Sequence, residues 1–173
     1  LVLFFGSVLP YKGVDSLVEA APHLGDAAHV HIAGYCGDRS YEKELDSAIE
    51  RSPVRDRISF EKGFLTEERV SELLCSADVL AMPYRGIDQS GVLFAAMRHG
   101  LPVVAFDVGS FADYLRGPLG TVVPPGDIPA LATALRAFAR ADVPRDSIQQ
   151  VARRYLWSNT VRPVLEEYDR QQA

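Results

Sequence analysis

The chain has 173 residues, 47% hydrophobic and 24% charged, with a formal net charge of -5. That is about one domain's worth of chain, and at this size roughly 70% of the unfolded surface is buried, so one core forms without staples. The composition excludes disorder and collagen-like repeats. Eighteen basic residues against 23 acidic ones argue against a general nucleic-acid binder but leave room for a small anion in a locally positive pocket.

The chain opens Leu1-Val2-Leu3-Phe4-Phe5, with no initiator Met and no basic flank. This reads as a strand entered directly, so the N-terminus is expected to be a cut in a longer protein. No apolar run approaches the ~18 residues of a membrane span. Cys36 and Cys75 lack metal or redox spacing and read as buried apolar groups in a reducing compartment.

Strand-like runs then alternate with helical periods. Val14, Leu17, Val18 and Ala21 mark one helix face, and His29–Ala33 forms a second strand stopped by Gly34. Ser40 is a candidate N-cap for a helix to about Glu50, and Arg57–Lys62 is a third strand. Thr66 caps a helix carrying Val70, Leu73, Leu74 and Ala77. Asp78–Met82 is a fourth strand, Val92–His99 a short helix ended by Gly100, and Pro102–Phe106 a fifth strand. Gly109–Leu115 reads as a short helix and Gly120–Val123 as a sixth strand. Asp127 caps a helix over Ile128–Ala139, and one or two helices follow, with Pro163 predicting a kink or a late start. Apolar strands alternating with helices predict an α/β fold: a parallel sheet of about six strands covered on both faces.

Ligands in such sheets bind at the carboxyl ends of the strands. Two loops there carry chemistry. Gly6-Ser7-Val8-Leu9-Pro10-Tyr11-Lys12-Gly13 leaves the first strand, and its Lys12 opposes the dipole of the helix that follows, which makes sense if an anion shares the place. The loop is neither a Walker A sequence nor a GxGxxG fingerprint. Tyr84-Arg85-Gly86-Ile87-Asp88-Gln89-Ser90-Gly91-Val92 follows the fourth strand, and the small residues Ser90 and Gly91 leave first-turn amides open to an anion unless Ser90 merely caps the helix. If the two strands lie near each other, a Lys and a helix N-terminus would grip a diphosphate from two sides. His23, His29, His31 and His99 share no metal spacing, and Tyr155, Trp157 and Tyr168 read as packing anchors.

Further residues give a resemblance. They are Gly6 with Lys12-Gly13, Ile32-Ala33-Gly34, Ile58-Ser59-Phe60 leading to Gly63-Phe64-Leu65, and Ser76-Ala77-Asp78-Val79-Leu80 before Pro83. Ser90-Gly91-Val92-Leu93 leads to Ala96-Met97 and Gly100-Leu101-Pro102-Val103-Val104-Ala105, with Gly120, Asp127 and Trp157 through Tyr168 later. In this order they resemble the C-terminal, donor-binding domain of group-one retaining glycosyltransferases of the two-domain GT-B fold, over nearly the whole chain. The resemblance implies a Rossmann-like sheet that is one half of a GT-B fold, residues 1–173 forming a nucleotide-sugar donor domain closed by a helix at about 157–170.

It also implies residue roles. Lys12 would contact the diphosphate and act in catalysis, with Gly6 beside it. Amides at Ser90, Gly91 and Val92 would bind the other side, Gly34 and the Gly63-Phe64-Leu65 turn would border the base, and Asp88 and Gln89 would lie near the donor sugar. No metal and no cofactor beyond the donor substrate are implied. The implied partners are the nucleotide sugar and an N-terminal acceptor domain absent from this chain. No nucleic acid is implied, and the location is cytoplasmic, with any peripheral membrane contact at the inner face made through the missing half. The implied activity is transfer of a sugar, hexosyl in type, from a nucleotide-diphosphate sugar to a glycan or lipid-linked acceptor, as in polysaccharide biosynthesis, with the isolated domain inactive. Ser7 stands where the family usually has Arg, which leaves one diphosphate cation missing unless Arg85 substitutes, and Ile87 and Ala95 stand where it carries a spaced pair of Glu. Those departures favour the alternative expectation, a non-catalytic nucleotide-sugar-binding or regulatory module.

Overall fold

The structure, a computed structural model, describes residues 1–141, 143–155 and 157–172. The elements follow in the order β1 (Val2–Phe5), α1 (Val14–Ala20), β2 (Val30–Gly34), α2 (Arg39–Arg51), β3 (Ile58–Lys62), α3 (Glu67–Ser76) and β4 (Val79–Met82). Then come α4 (Gly91–Arg98), β5 (Val103–Phe106), α5 (Phe111–Tyr114), β6 (Gly120–Val123), α6 (Ile128–Arg140), α7 (Arg145–Ala152) and α8 (Trp157–Gln172). A 3₁₀ turn, Pro10–Lys12, lies between β1 and α1.

The six strands form one sheet in the order β3-β2-β1-β4-β5-β6, every pair parallel. Burial explains why the strands look as they do in sequence. β4 and β5, covered on both faces, are buried at every residue and carry only apolar side chains, whereas the edge strand β3 alternates and admits Ser59, Glu61 and Lys62. Helices cover both sides, with α1 packed on α2 and α6, and α4 packed on α7.

Three expectations are corrected. Asp38, not Ser40, caps α2: its extended backbone points the carboxylate back at the amides of Ser40 and Tyr41, and it accepts from both. Of the two outcomes expected of Pro163, a kink or a late start, the late start does not occur: α8 begins at Trp157, where the closing helix is expected, and runs through Pro163. Cys36 is buried, its thiol donating to the Asp38 carbonyl at 3.3 Å and its pKa pushed up by burial, but Cys75 is exposed near the end of α3.

The aromatic anchors divide. Tyr155 packs into a cluster with Phe94 and Tyr114, Tyr168 is exposed rather than packed, and the side chain of Trp157 lies outside the described residues. Among the described residues no helix is long and apolar enough to cross a membrane.

His31 is structural. Its ring bonds Ser59 Oγ at 2.6 Å and Glu61 Oε2 at 3.0 Å, and Glu61 in turn receives Arg69. Hydrogen bonds from Arg69 hold the Glu61 carboxyl below its ordinary pKa, helped by His31. A carboxyl depressed by folding adds stability above its unfolded pKa and loses it as pH falls through the folded value. The wild type should therefore exceed Glu61→Gln by about 1 kcal/mol or less near neutrality, as for other partly exposed pairs. Urea titrations should show that margin vanish on acidification.

Candidate functional site

In a sheet of this order, β1 and β4 are neighbours whose connections leave in opposite directions, and the crevice between their carboxyl ends is the expected ligand site. The two loops singled out in the sequence emerge side by side there. Lys12, in the turn after β1, is only 8% exposed, and its ammonium lies 5.0 Å from the centre of the Tyr84 ring. Among the described residues no carboxylate lies within ion-pair reach of it. Burial lowers its pKa from the ordinary lysine value.

Gly6 is the meeting point. Its φ is +125°, and a Cβ built there would stand 3.4 Å from both Lys12 Nζ and Val92 Cγ2. The bare glycine thus leaves the space that the ammonium and the start of α4 share. Ser90 occupies the N-cap position of α4, buried and extended, yet its side chain makes no capping hydrogen bond. The first-turn amides of Gly91 and Val92 consequently remain available to an outside acceptor, with the helix dipole behind them. The buried Tyr84 hydroxyl finds no well-aligned partner, although Ser90 is near enough to hold its pKa down slightly against the burial that pushes it up to about 12.

The ends of β2 and β3 are continuous with this crevice. Gly63 donates its amide to the Gly34 carbonyl at 3.2 Å, and Gly34 abuts the Gly6 backbone. Phe64, 86% exposed, stacks on Tyr35, 46% exposed, with ring centroids 4.5 Å apart and planes within 15°. Leu65 follows, half-buried. Tyr35 escaped the sequence reading. The available signal was the doublet Gly34-Tyr35, which repeats Gly63-Phe64 at the end of the adjacent strand.

Gly6, Lys12, Gly34, Phe64, Leu65, Ser90, Gly91 and Val92 are thus gathered along one edge of the sheet. Asp88 and Gln89 are exposed in the loop before α4, which is tied down from β5 by Ser110, whose amide and hydroxyl both donate to the Asp88 carbonyl. Ser7 is exposed, and Arg85 does not take over as a second diphosphate cation: its guanidinium is paired with Asp15 and donates to the Pro10 carbonyl at 2.7 Å. Among the described residues no group of three or more His, Cys, Asp or Glu is placed to hold a metal ion.

A doubly wound parallel sheet with a buried ammonium and a bare helix start at its topological switch point belongs to the Rossmann-like class of α/β folds. Residues 1–140 match the family described as glycosyl transferases group 1, and the chain belongs to that family. It is 35% identical to the phosphatidyl-myo-inositol mannosyltransferase of Mycobacterium leprae over 97% of its own length and 46% of that protein's. It superposes on sucrose-phosphate synthase from Thermosynechococcus elongatus with a TM-score of 0.81 at 22% identity, covering 99% of this chain and 45% of that one. Against Anabaena Alr3699/HepE in complex with UDP-glucose the TM-score is 0.66 at 22% identity, covering 91% and 48%. At such identities the likeness establishes the fold alone, one half of a GT-B fold. The chain spans less than half the length of the curated relatives it matches.

Proposed function

We propose that this chain is the donor-binding half of a retaining glycosyltransferase that moves a sugar from a nucleotide-diphosphate sugar to a glycan or lipid-linked acceptor. The observation that carries the reading is the Lys12 ammonium, buried without a carboxylate partner and facing the uncapped start of α4 across Gly6. Burying an unpaired charge costs stability, which is recovered if an anion completes the site. Lys12 and the amides at Ser90, Gly91 and Val92 would hold the diphosphate and stabilise the charge that grows on it as the bond to the anomeric carbon breaks.

Gly34, Phe64 and Leu65 would border the base, and Asp88 and Gln89 the sugar. A relative named as a mannosyltransferase and a structural neighbour in complex with UDP-glucose support a nucleotide-sugar donor. The acceptor would be met by a second half, as the coverage of the relatives suggests, and these 173 residues alone should transfer no sugar. Sugar release or transfer by the isolated chain would refute that division of labour.

Thermal shifts with UDP, GDP, ADP and their sugars at millimolar concentration test the reading, because a ligand that binds the folded state stabilises it by RT ln(1 + [L]/Kd). One nucleotide should raise the melting temperature; no shift with any of them would reject the site. The exposed Phe64 ring supplies a stacking face, and such contacts are worth about 1–3 kcal/mol per base by alanine substitution. Phe64→Ala should therefore weaken the nucleotide about tenfold or more while leaving pyrophosphate binding unchanged, both read by calorimetry.

A further inference from the structure

Arg85 joins the two loops that make the crevice. Its amide donates to the Tyr11 carbonyl at 2.6 Å, and its Nη1 donates to the Pro10 carbonyl at 2.7 Å. Its Nη2 pairs with Asp15 in the first turn of α1 and reaches Ser16 Oγ at 3.5 Å. Asp15 is held from the other side by the Tyr41 hydroxyl of α2, which donates to it at 2.8 Å. One residue of the loop after β4 therefore clamps the carbonyls of Pro10 and Tyr11 in the same 3₁₀ turn that carries Lys12. The turn's other ties are local or apolar: the Lys12 amide donates back to the Leu9 carbonyl, the Gly13 amide donates to the Pro10 carbonyl, and Tyr11 meets the Tyr84 ring edge-on, the same ring that lies beneath the Lys12 ammonium.

The geometry points to Arg85 and Asp15, braced by Tyr41, as positioning residues that act through Lys12 and fix its ammonium opposite the start of α4. This rests on the proposed diphosphate grip, and it assigns Arg85 a role other than touching the anion. The guanidinium's planar fork is what lets one side chain serve a carbonyl and a carboxylate together, which a lysine ammonium matches poorly. Arg85 lies at the switch point where the chain changes sides, so its clamp sets the separation of two elements whose strand pairing, among the described residues, ends at Leu3 and Leu80.

The test uses the full chain, inorganic pyrophosphate as the probe, and the variants Arg85→Lys, Asp15→Asn and Lys12→Met, singly and with Arg85→Lys combined with Lys12→Met. Arg85→Lys and Asp15→Asn should each weaken pyrophosphate about tenfold by calorimetry, within the roughly 100-fold that a 1 Å misplacement caused by a remote change can cost. Asp15→Asn is decisive in sign. Removing a negative charge near an anion site by itself tightens binding, whereas loss of the clamp weakens it. On the Lys12→Met background, Arg85→Lys should cost no more than about twofold, because both changes remove one interaction.

A ligand-free readout separates this inference from the function it rests on. The ¹⁵N-detected titration of the Lys12 ammonium should move up toward the ordinary lysine value in Arg85→Lys and Asp15→Asn, as the released turn lets the group reach water. Thermal melts confirm that each variant is folded. Tighter binding by Asp15→Asn, additive losses in the combined variant, or a Lys12 titration unchanged in both clamp variants would each overturn the inference. Failure of the wild type to bind pyrophosphate while Lys12 still titrates as expected would overturn the proposed function and leave the clamp established as a device that holds Lys12.

Discussion

Lys12→Met should weaken binding of a nucleoside diphosphate by about 10- to 100-fold, the equivalent of the roughly 1.5–3 kcal/mol carried by a hydrogen bond to a charged group. The same substitution should leave the ligand-free protein as stable as the wild type or more so. Methionine keeps the straight stem that packs beside Tyr84 and removes a buried ammonium with no anionic partner. A lysine kept only for packing would show the opposite pattern, with stability lost and affinity unchanged. Calorimetric titration with urea unfolding distinguishes the two.

The same residue sets a pH dependence. Burial lowers the Lys12 pKa in the folded state, so between the folded and the ordinary value the unfolded chain binds the extra proton. Stability from this group therefore rises as pH rises through that window, and the full cost of the buried charge is present below it. Ligand binding runs the other way. A bound diphosphate favours the charged form, lifts the pKa, and takes up protons, so affinity should fall as pH rises through the free-protein value. Affinity independent of pH across the alkaline range, with proton release or no proton exchange in buffers of different ionisation enthalpy, would exclude Lys12 from the anion site.

Gly13→Ala should be strongly damaging for a change of one methyl group. Gly13 ends the Lys12 turn and begins α1 with φ +63°, and a Cβ there would stand 1.9 Å from the Pro83 carbonyl oxygen at the end of β4. The left-handed conformation alone costs a non-glycine residue about 1–2 kcal/mol. The overlap is with backbone, so relief requires moving the turn or the exit of β4. A loss of about 3 kcal/mol is expected from urea denaturation, at the upper end for ordinary substitutions, together with loss of diphosphate binding. A loss below about 1 kcal/mol would mean that the turn and the β4 exit are not in fixed contact.

Much of this was legible in the amino-acid sequence. The apolar runs at Val79–Met82 and Val103–Phe106 announced buried parallel strands because both faces of a central strand must avoid water. The helix over Ile128–Arg140 announced itself by its period and by Asp127, which does accept from the Ala130 amide. Lys12 and Ser90-Gly91 stood out because a cation before a helix and a bare helix start each leave an electrostatic demand unmet locally. What the sequence concealed were side chains whose partners lie far along the chain. Arg85 read as a spare cation until the structure paired it with Asp15, which is 70 positions away. Tyr35 drew no reading at all until the structure showed Phe64 stacked on it. Asp38 outcompeted Ser40 as a cap because cap choice depends on which residue is extended at the turn.

The sequence by itself determined the strands and helices, the parallel sheet, and the two loops with an unsatisfied charge and unsatisfied amides. Each of these follows from local periodicity, local turn chemistry, or a local electrostatic imbalance. Only the tertiary structure decided that β1 and β4 are neighbours, so that both loops open on one crevice, and that Arg85 braces this crevice instead of filling it. The physical reason is that strand order and long-range ion pairing are settled by which surfaces exclude water together, a property of the packed chain that no stretch of neighbouring residues contains.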